Sequence, residues 1–388
     1  MKDVTYIGGV AARIPVSLSG VTNTGKVEFA GSASKNIYLG GLLGYNKAST
    51  INITNCTNSG DVSLTKYTGN DVYAYIGGLI GRNEGATVVT NCVNEGVVFT
   101  GKDITSTYEQ YVGGMVGYNA GAITLDNCTN RTKAGVEWGI VVSNCQAKGG
   151  SNSNAMRVGG MVARATGQFV TQNDVPNSAG IYFDGVHIDT GGVSIGGIIG
   201  VMASSNMGGN VTNTGNIYYA GRCPSANMGV AGFSATSAGE ITKANIVCAC
   251  DITIASEASD GGLPTSTNKR CKLGGVVAFA CTKLENAKFY GDIYLLNWNS
   301  IGGPTSDGNT YGMIQGSATA DRVANCHCGG NVYNTYDIED EEYKGEKINV
   351  NNYYKYIVGA PMTAADAVAA GCGYLSKGDA TPGYPTVE

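Results

Sequence analysis

The chain has 388 residues with 59 glycines, 8 prolines and only 14 % charged residues. Glycine at about twice its usual share with 43 % hydrophobic residues excludes both collagen, which needs a strict three-residue glycine period, and intrinsic disorder, which needs low hydrophobicity and high net charge. A formal charge of −5, with 25 Lys and Arg scattered along the chain, excludes a phosphate-backbone partner and so nucleic acid, and no apolar run is long enough to span a membrane.

Length alone allows two or three domains or one elongated one, and an internal repeat decides between them. Ile7-Gly-Gly-Val-Ala-Ala12 opens a series that continues as Leu39-Gly-Gly-Leu-Leu-Gly44, Ile76-Gly-Gly-Leu-Ile-Gly81 and Val112-Gly-Gly-Met-Val-Gly117. It goes on as Val158-Gly-Gly-Met-Val-Ala163, Ile195-Gly-Gly-Ile-Ile-Gly200 and Leu273-Gly-Gly-Val-Val-Ala278, with degenerate copies near Met228-Gly229 and Tyr311-Gly312. The mean spacing is about 38 residues. A second block follows each first one at constant offset: Asn55-Cys-Thr-Asn-Ser-Gly-Asp-Val62, Asn91-Cys-Val-Asn-Glu-Gly-Val-Val98, Asn127-Cys-Thr-Asn130 and Asn325-Cys-His-Cys-Gly-Gly-Asn-Val332. Weaker copies are Asn23-Thr-Gly-Lys-Val27, Asn213-Thr-Gly-Asn-Ile217 and Tyr290-Gly-Asp-Ile293.

Each repeat holds short β-branched runs separated by glycine and asparagine turns, and none holds a helical periodicity. A unit of this length that recurs in sequence is expected to recur in space, so the predicted fold is an all-β, parallel β-helix, a β-solenoid of about nine rungs. Each rung is predicted to contain three strands: the Gly-Gly strand, the strand ending in Asn-Cys, and the strand after the Asn-x-Gly turn. Nine rungs at about 4.8 Å make a rod about 40 Å long. The solenoid is assigned to residues 1–333 and a C-terminal cap to 334–388. That tail holds the acidic run Tyr336 to Tyr343 and one short predicted helix, from Thr363 to Ala370, with Thr363 as N-cap, Asp366 at the capping-box position and Gly371 as C-cap. No comparable cap precedes Ile7, so the native chain is expected to continue upstream. Two long repeats, with the stretches Arg131 to Arg157 and Ser256 to Lys272, are expected to place their extra residues in surface loops.

The alternation of Gly-Gly-Leu-Ile-Gly with Asn-Cys-x-Asn-x-Gly-x-Val, over roughly residues 5 to 333, resembles the GLUG-type repeat of secreted and surface-attached bacterial proteins. That resemblance implies a right-handed parallel β-helix outside the cytoplasm, extracellular or at a cell surface, and no catalysis by itself. Peptidases that carry such repeats have a His-Glu-x-x-His zinc motif. The two histidines here, His187 and His327, are not followed by Glu, so the peptidase reading falls.

Three constellations could carry chemistry. Cys56, Cys92 and Cys128, with Cys326 at the same repeat position, are expected to stack as a buried column of free thiols, because parallel stacked side chains are poorly oriented for disulfides. The pairs Cys248/Cys250 and Cys326/Cys328 lack the second pair a zinc site needs, so no metal and no cofactor is expected. In Phe183-Asp-Gly-Val-His-Ile-Asp-Thr190, an extended backbone would turn Val186 and Ile188 inward and set His187 beside Asp189 on the outer face, with Asp184 nearby. Neighbouring repeats supply no matching carboxylates. Finally, the residue five places beyond the first glycine reads Arg13, Tyr45, Arg82, Tyr118, Arg164, then Val201 and later Phe279, and the next column begins Asn46, Asn83, Asn119. Stacked at one strand spacing, Arg13, Tyr45, Arg82, Tyr118 and Arg164 form either a sugar-binding ridge or a self-stacking cation–π ladder that stiffens the rod. The expected function is a non-catalytic adhesin-like, glycan-binding or structural module whose partners are glycans or cell-surface proteins. The alternative is a polysaccharide-degrading β-helix lyase or hydrolase, which would line a groove with carboxylates from successive rungs.

Overall fold

The computed structural model describes residues 5–13, 17–47, 50–67, 72–149, 154–188, 191–222, 228–255, 271–279, 281–296, 310–312, 314–316, 323–328, 332–334 and 372–374. The predicted helix at 363–370, the acidic run and most of the Ser256 to Lys272 insertion lie outside the described residues.

Every strand pairing is parallel, and residues one repeat apart are laid directly over one another. The Gly-Gly strands form one ladder of nine members among the described residues, starting Thr5–Gly8, Ile37–Gly40 and Val72–Gly77 and ending at Thr310–Gly312. The strands after the Asn-x-Gly turn form a second ladder, from Val27–Gly31 through Val62–Tyr67 to Val332–Asn334. The chain is therefore a parallel β-solenoid.

Each rung has more corners than the three strands read from sequence. In the second rung the backbone runs through Ile37–Gly40, Leu43–Asn46, Ile51–Thr54, Thr57–Asn58 and Val62–Tyr67, five extended segments. The additional breaks fall where the backbone bends, at the Gly-Gly pair and at the asparagine before the cysteine. That asparagine lies in the left-handed region at Asn55, Asn91 and Asn127, with φ of 53°, 52° and 51°. Asparagine tolerates this conformation better than other side-chain-bearing residues. The Asn-Cys-x-Asn block thus turns a corner at its first residue and buries the next.

Inward-facing residues form apolar columns along the axis. Leu39, Ile76, Val112, Val158, Ile195, Val230 and Leu273 stack in register and are all fully buried. Val62, Val98, Ile140, Ile181, Ile217, Ile252 and Ile293 do the same on the second ladder. β-Branched residues dominate because a pleated, buried surface suits their restricted χ1. The first rung is less covered: Thr5–Gly8 is only half-buried and Val10 is 39 % exposed.

The Arg131 to Arg157 stretch differs from the loop expected of it. Ten of its residues, Trp138–Ala147, form a strand that pairs with the strands before and after it. Part of the extra length is taken up in the bend before Trp138, where Arg131 meets Glu95 and Lys133 reaches back to Asp61 at 3.2 Å, and the rest falls between Ala147 and Met156. The C-terminal segment contributes one described strand, Cys372–Tyr374, which pairs with Cys326–Cys328.

Candidate functional site

The repeat's polar residues are arranged as axial ladders, and three of these are asparagine. The last residue of Asn-Cys-x-Asn points inward. Asn23 Nδ2 donates to Asn58 Oδ1 at 2.8 Å, Asn58 to Asn94 at 2.9 Å, Asn94 to Asn130, Asn130 to Asn177 and Asn177 to Asn213, each of these last three at 2.8 Å. All six are buried. The paired glycines make room for them. A Cβ on Gly41 would lie 2.3 Å from the Asn58 carboxamide carbon and 2.1 Å from the Gly78 carbonyl oxygen, so the second glycine of each pair is the dent into which the asparagine packs. The ladder ends at Asn213, which donates to Cys250 Sγ at 3.1 Å. Beyond it the same register position carries Cys248, Phe289 and Cys328.

A second buried ladder runs Asn46 to Asn83 at 2.8 Å and Asn83 to Asn119 at 2.7 Å. Exposed, these asparagines beside the ridge would offer hydrogen bonds to a bound sugar. They are fully buried and bonded to one another, so they hold the corner instead. A third ladder lies outside, at the left-handed corner, and runs the opposite way: Asn127 donates to Asn91 at 2.8 Å and Asn91 to Asn55 at 3.2 Å.

Cys56, Cys92, Cys128 and Cys248 are free and fully buried, and Cys326 is fully buried too. Burial pushes the Cys92 thiol up to about 12 and the Cys128 thiol up to about 11. A thiol held that far above neutrality is neither a nucleophile nor a ready metal ligand. Among the described residues no three His, Cys, Asp or Glu side chains gather closely enough to hold a metal ion. In the strand that carries the acid–base trio, Val186 and Ile188 face inward as expected, and half-buried Asp184 accepts a hydrogen bond from the Tyr182 hydroxyl at 2.8 Å. Asp189 and the His187 side chain lie outside the described residues.

The Arg/Tyr column is stacked in the order read from sequence: Arg13 on Tyr45, Tyr45 on Arg82, Arg82 on Tyr118 and Tyr118 on Arg164. It does not stand alone. A second column, Tyr6, Tyr38, Tyr75, Tyr111 and Arg157, faces it across the Gly-Gly corner. The two interleave like a zipper. Tyr38 stacks on Tyr45 at 5.0 Å and on Tyr75 at 5.1 Å between ring centres, and Tyr75 stacks on Tyr111 at 4.9 Å and on Tyr118 at 5.6 Å. Arg82 lies 4.9 Å from the Tyr75 ring centre and 5.1 Å from that of Tyr118.

The zipper buries much of what it is made from. Tyr45 is 6 % exposed, whereas Tyr118, Arg82 and Arg164 are half-buried and Arg13 is exposed. Burial raises the Tyr45, Tyr75 and Tyr111 hydroxyls well above the usual phenol range, and the Tyr45 hydroxyl also donates to Glu84 at 2.5 Å. Arg82 meets the same carboxylate at 2.6 Å. Deeper in, Arg157 and Glu109 form a buried ion pair at 2.5 Å, and Glu109 also accepts from the Tyr111 hydroxyl. The second column was missed in the sequence although its signal was present: the residue two places before the first glycine reads Tyr6, Tyr38, Tyr75 and Tyr111 in four successive repeats.

Comparison with protein-family models identifies the GLUG motif at residues 35–63 and 73–98. Comparison with curated proteins and with solved structures finds no match. The first matched stretch begins just before the strand Ile37–Gly40 and the second just inside Val72–Gly77, and both end at the start of the strand after the Asn-x-Gly turn, so each covers most of one solenoid turn with its glycine dent, buried thiol and ladder asparagine.

Proposed function

We propose that the chain is a non-catalytic module of a secreted or cell-surface protein, a stiff rod whose outer Tyr/Arg edge engages glycans in an adhesin-like manner. The single observation that carries this reading is where the repeat's chemistry-bearing residues go. Asparagines at the repeated positions hydrogen-bond to their own copies one rung away, tyrosines stack on theirs, arginines lie over the tyrosines of adjacent rungs and the cysteine thiols donate to backbone carbonyls, which is the arrangement of a mechanical element rather than of a reaction centre. What the zipper leaves open to solvent, the Arg13 guanidinium and the half-buried Tyr6, Tyr118 and Arg164, combines ring faces and cations, the groups that sugar rings stack on and that their hydroxyls hydrogen-bond to.

A glycan array probed with the purified chain, followed by incubation with the retained polysaccharides, tests this. Retention without chain shortening is the expected result. Release of new reducing ends or of unsaturated products would replace the adhesin-like reading with a polysaccharide-degrading one.

A further inference from the structure

The Arg/Tyr zipper alternates. In the outer column arginine occupies the first, third and fifth rungs and tyrosine the second and fourth, as the register Arg13, Tyr45, Arg82, Tyr118, Arg164 requires. Successive guanidinium positions are therefore two strand spacings apart, about 9.6 Å, which is the length class of one extended disaccharide. The sign of the charge is also set. The zipper contains four arginines, Arg13, Arg82, Arg157 and Arg164, against two carboxylates, Glu84 and Glu109, on a chain whose net charge is −5.

Those carboxylates are already committed. Glu109 is buried against Arg157, and Glu84 takes both Arg82 and the Tyr45 hydroxyl. Arg13 and Arg164 form no ion pair among the described residues: Arg13 rests 5.9 Å from the ring centres of Tyr6 and Tyr45, and Arg164 donates to the Tyr111 hydroxyl at 3.3 Å. The Nε atoms of Arg82 and Arg164 are buried without a hydrogen-bond partner. A half-buried guanidinium without a carboxylate gains most from an anion brought to it, because its own desolvation is already in place.

Resting on the glycan-binding reading above, we propose that the ridge selects an acidic polysaccharide carrying one anionic group per disaccharide, its axis parallel to the rod. The acidic sugars align with the arginine rungs, those over Arg13 and Arg164 meeting guanidiniums without a carboxylate and the one over Arg82 meeting a guanidinium already shared with Glu84, and the neutral sugars lie over Tyr118 and the edge of Tyr45.

The test uses the full chain with immobilised hyaluronan oligosaccharides, which carry one carboxylate per disaccharide, and chitin oligosaccharides as the neutral β-linked counterpart. The double variant Arg13→Gln with Arg164→Gln is measured beside the parent chain, with Arg13→Gln alone as a variant whose exposed position leaves folding untouched. The expected result is hyaluronan binding that falls with added salt and weakens at least ten-fold in the double variant, with chitin binding much weaker. Equal binding to both polymers would overturn the charge selection while leaving a glycan-binding ridge. Hyaluronan binding unchanged by the substitutions would place the contact elsewhere and overturn the proposal. Binding to neither polymer would overturn it and count against the glycan-binding reading too.

Discussion

At the scale of single residues, two asparagines three positions apart have opposite sensitivities. Asn94 is buried, accepts from Asn58 and donates to Asn130, so Asn94→Ala strips a partner from both neighbours; a loss of about 2–4 kcal/mol is expected by chemical denaturation. Asn91 is exposed at φ 52°, where glycine is at ease, so Asn91→Gly should change stability by less than about 0.5 kcal/mol, while Asn91→Val should cost more than about 1 kcal/mol. A ranking in which Asn91→Gly hurt as much as Asn94→Ala would contradict the assignment of buried ladder and outer corner. Tyrosine gives the parallel case. Tyr45→Ala with Tyr118→Ala removes ring contacts across the Gly-Gly corner, and the melting temperature should drop by several degrees, each loss being about 2–4 kcal/mol. An unchanged melting temperature would mean that the rings rest on the surface without holding it.

The ladder is the natural element, and its tolerance is set by its tightest contact. Gly78 sits where a Cβ would lie 2.1 Å from the Gly114 carbonyl oxygen and 2.4 Å from the Asn94 carboxamide carbon, so Gly78→Ala should abolish soluble expression or cost more than about 4 kcal/mol. Wild-type stability after Gly78→Ala would show that the Gly-Gly corner has slack. The buried thiols make a pH-dependent prediction. Burial holds the Cys92, Cys128 and Cys145 thiols above their value of 9.0 in the unfolded chain, up to about 12, 11 and 12. Between those limits the unfolded state releases protons that the native state keeps, so the stabilisation is complete below pH 9 and is lost as the pH climbs toward 12. Urea midpoints should therefore fall steadily from pH 9 upward, and a flat profile there would contradict the burial. Ladder membership itself was legible in the sequence wherever the same residue types recur, as in Asn55, Asn91 and Asn127. The five-segment rung was not, because a bend at Gly-Gly or at a left-handed asparagine costs no residues and leaves the hydrophobic pattern intact. The zipper was half legible for a similar reason: Tyr38 and Tyr45 belong to different strands, and only the corner between them brings their rings together.

For the whole molecule, each rung touches little beyond its two neighbours, so protection should follow position along the axis. Native-state hydrogen exchange should find the slowest amides in the strands Val72–Gly77 and Ile80–Asn83, covered on both sides, and faster exchange in Thr5–Gly8, which is half-buried and, among the described residues, paired on one side only. Equal protection of the first rung in a monomeric sample would contradict this gradient. The change of register partners after Asn213, from carboxamides to Cys248 and Phe289, marks a second gradient, because a stack of apolar side chains lacks the directional bonds that lock the asparagine column in register.

The sense of those carboxamide bonds has an electrical consequence. In both buried ladders the donor points toward the C-terminal rungs, from Asn23 toward Asn213 and from Asn46 toward Asn119, so their dipoles add along the axis as peptide dipoles do in an α-helix. In the outer ladder the donor points back, from Asn127 through Asn91 to Asn55. The outer stack sets an opposing moment beside the inner ones, so their axial fields partly cancel. Lengthening the rod by whole turns extends all three stacks together, and each added turn brings the opposing increment with it.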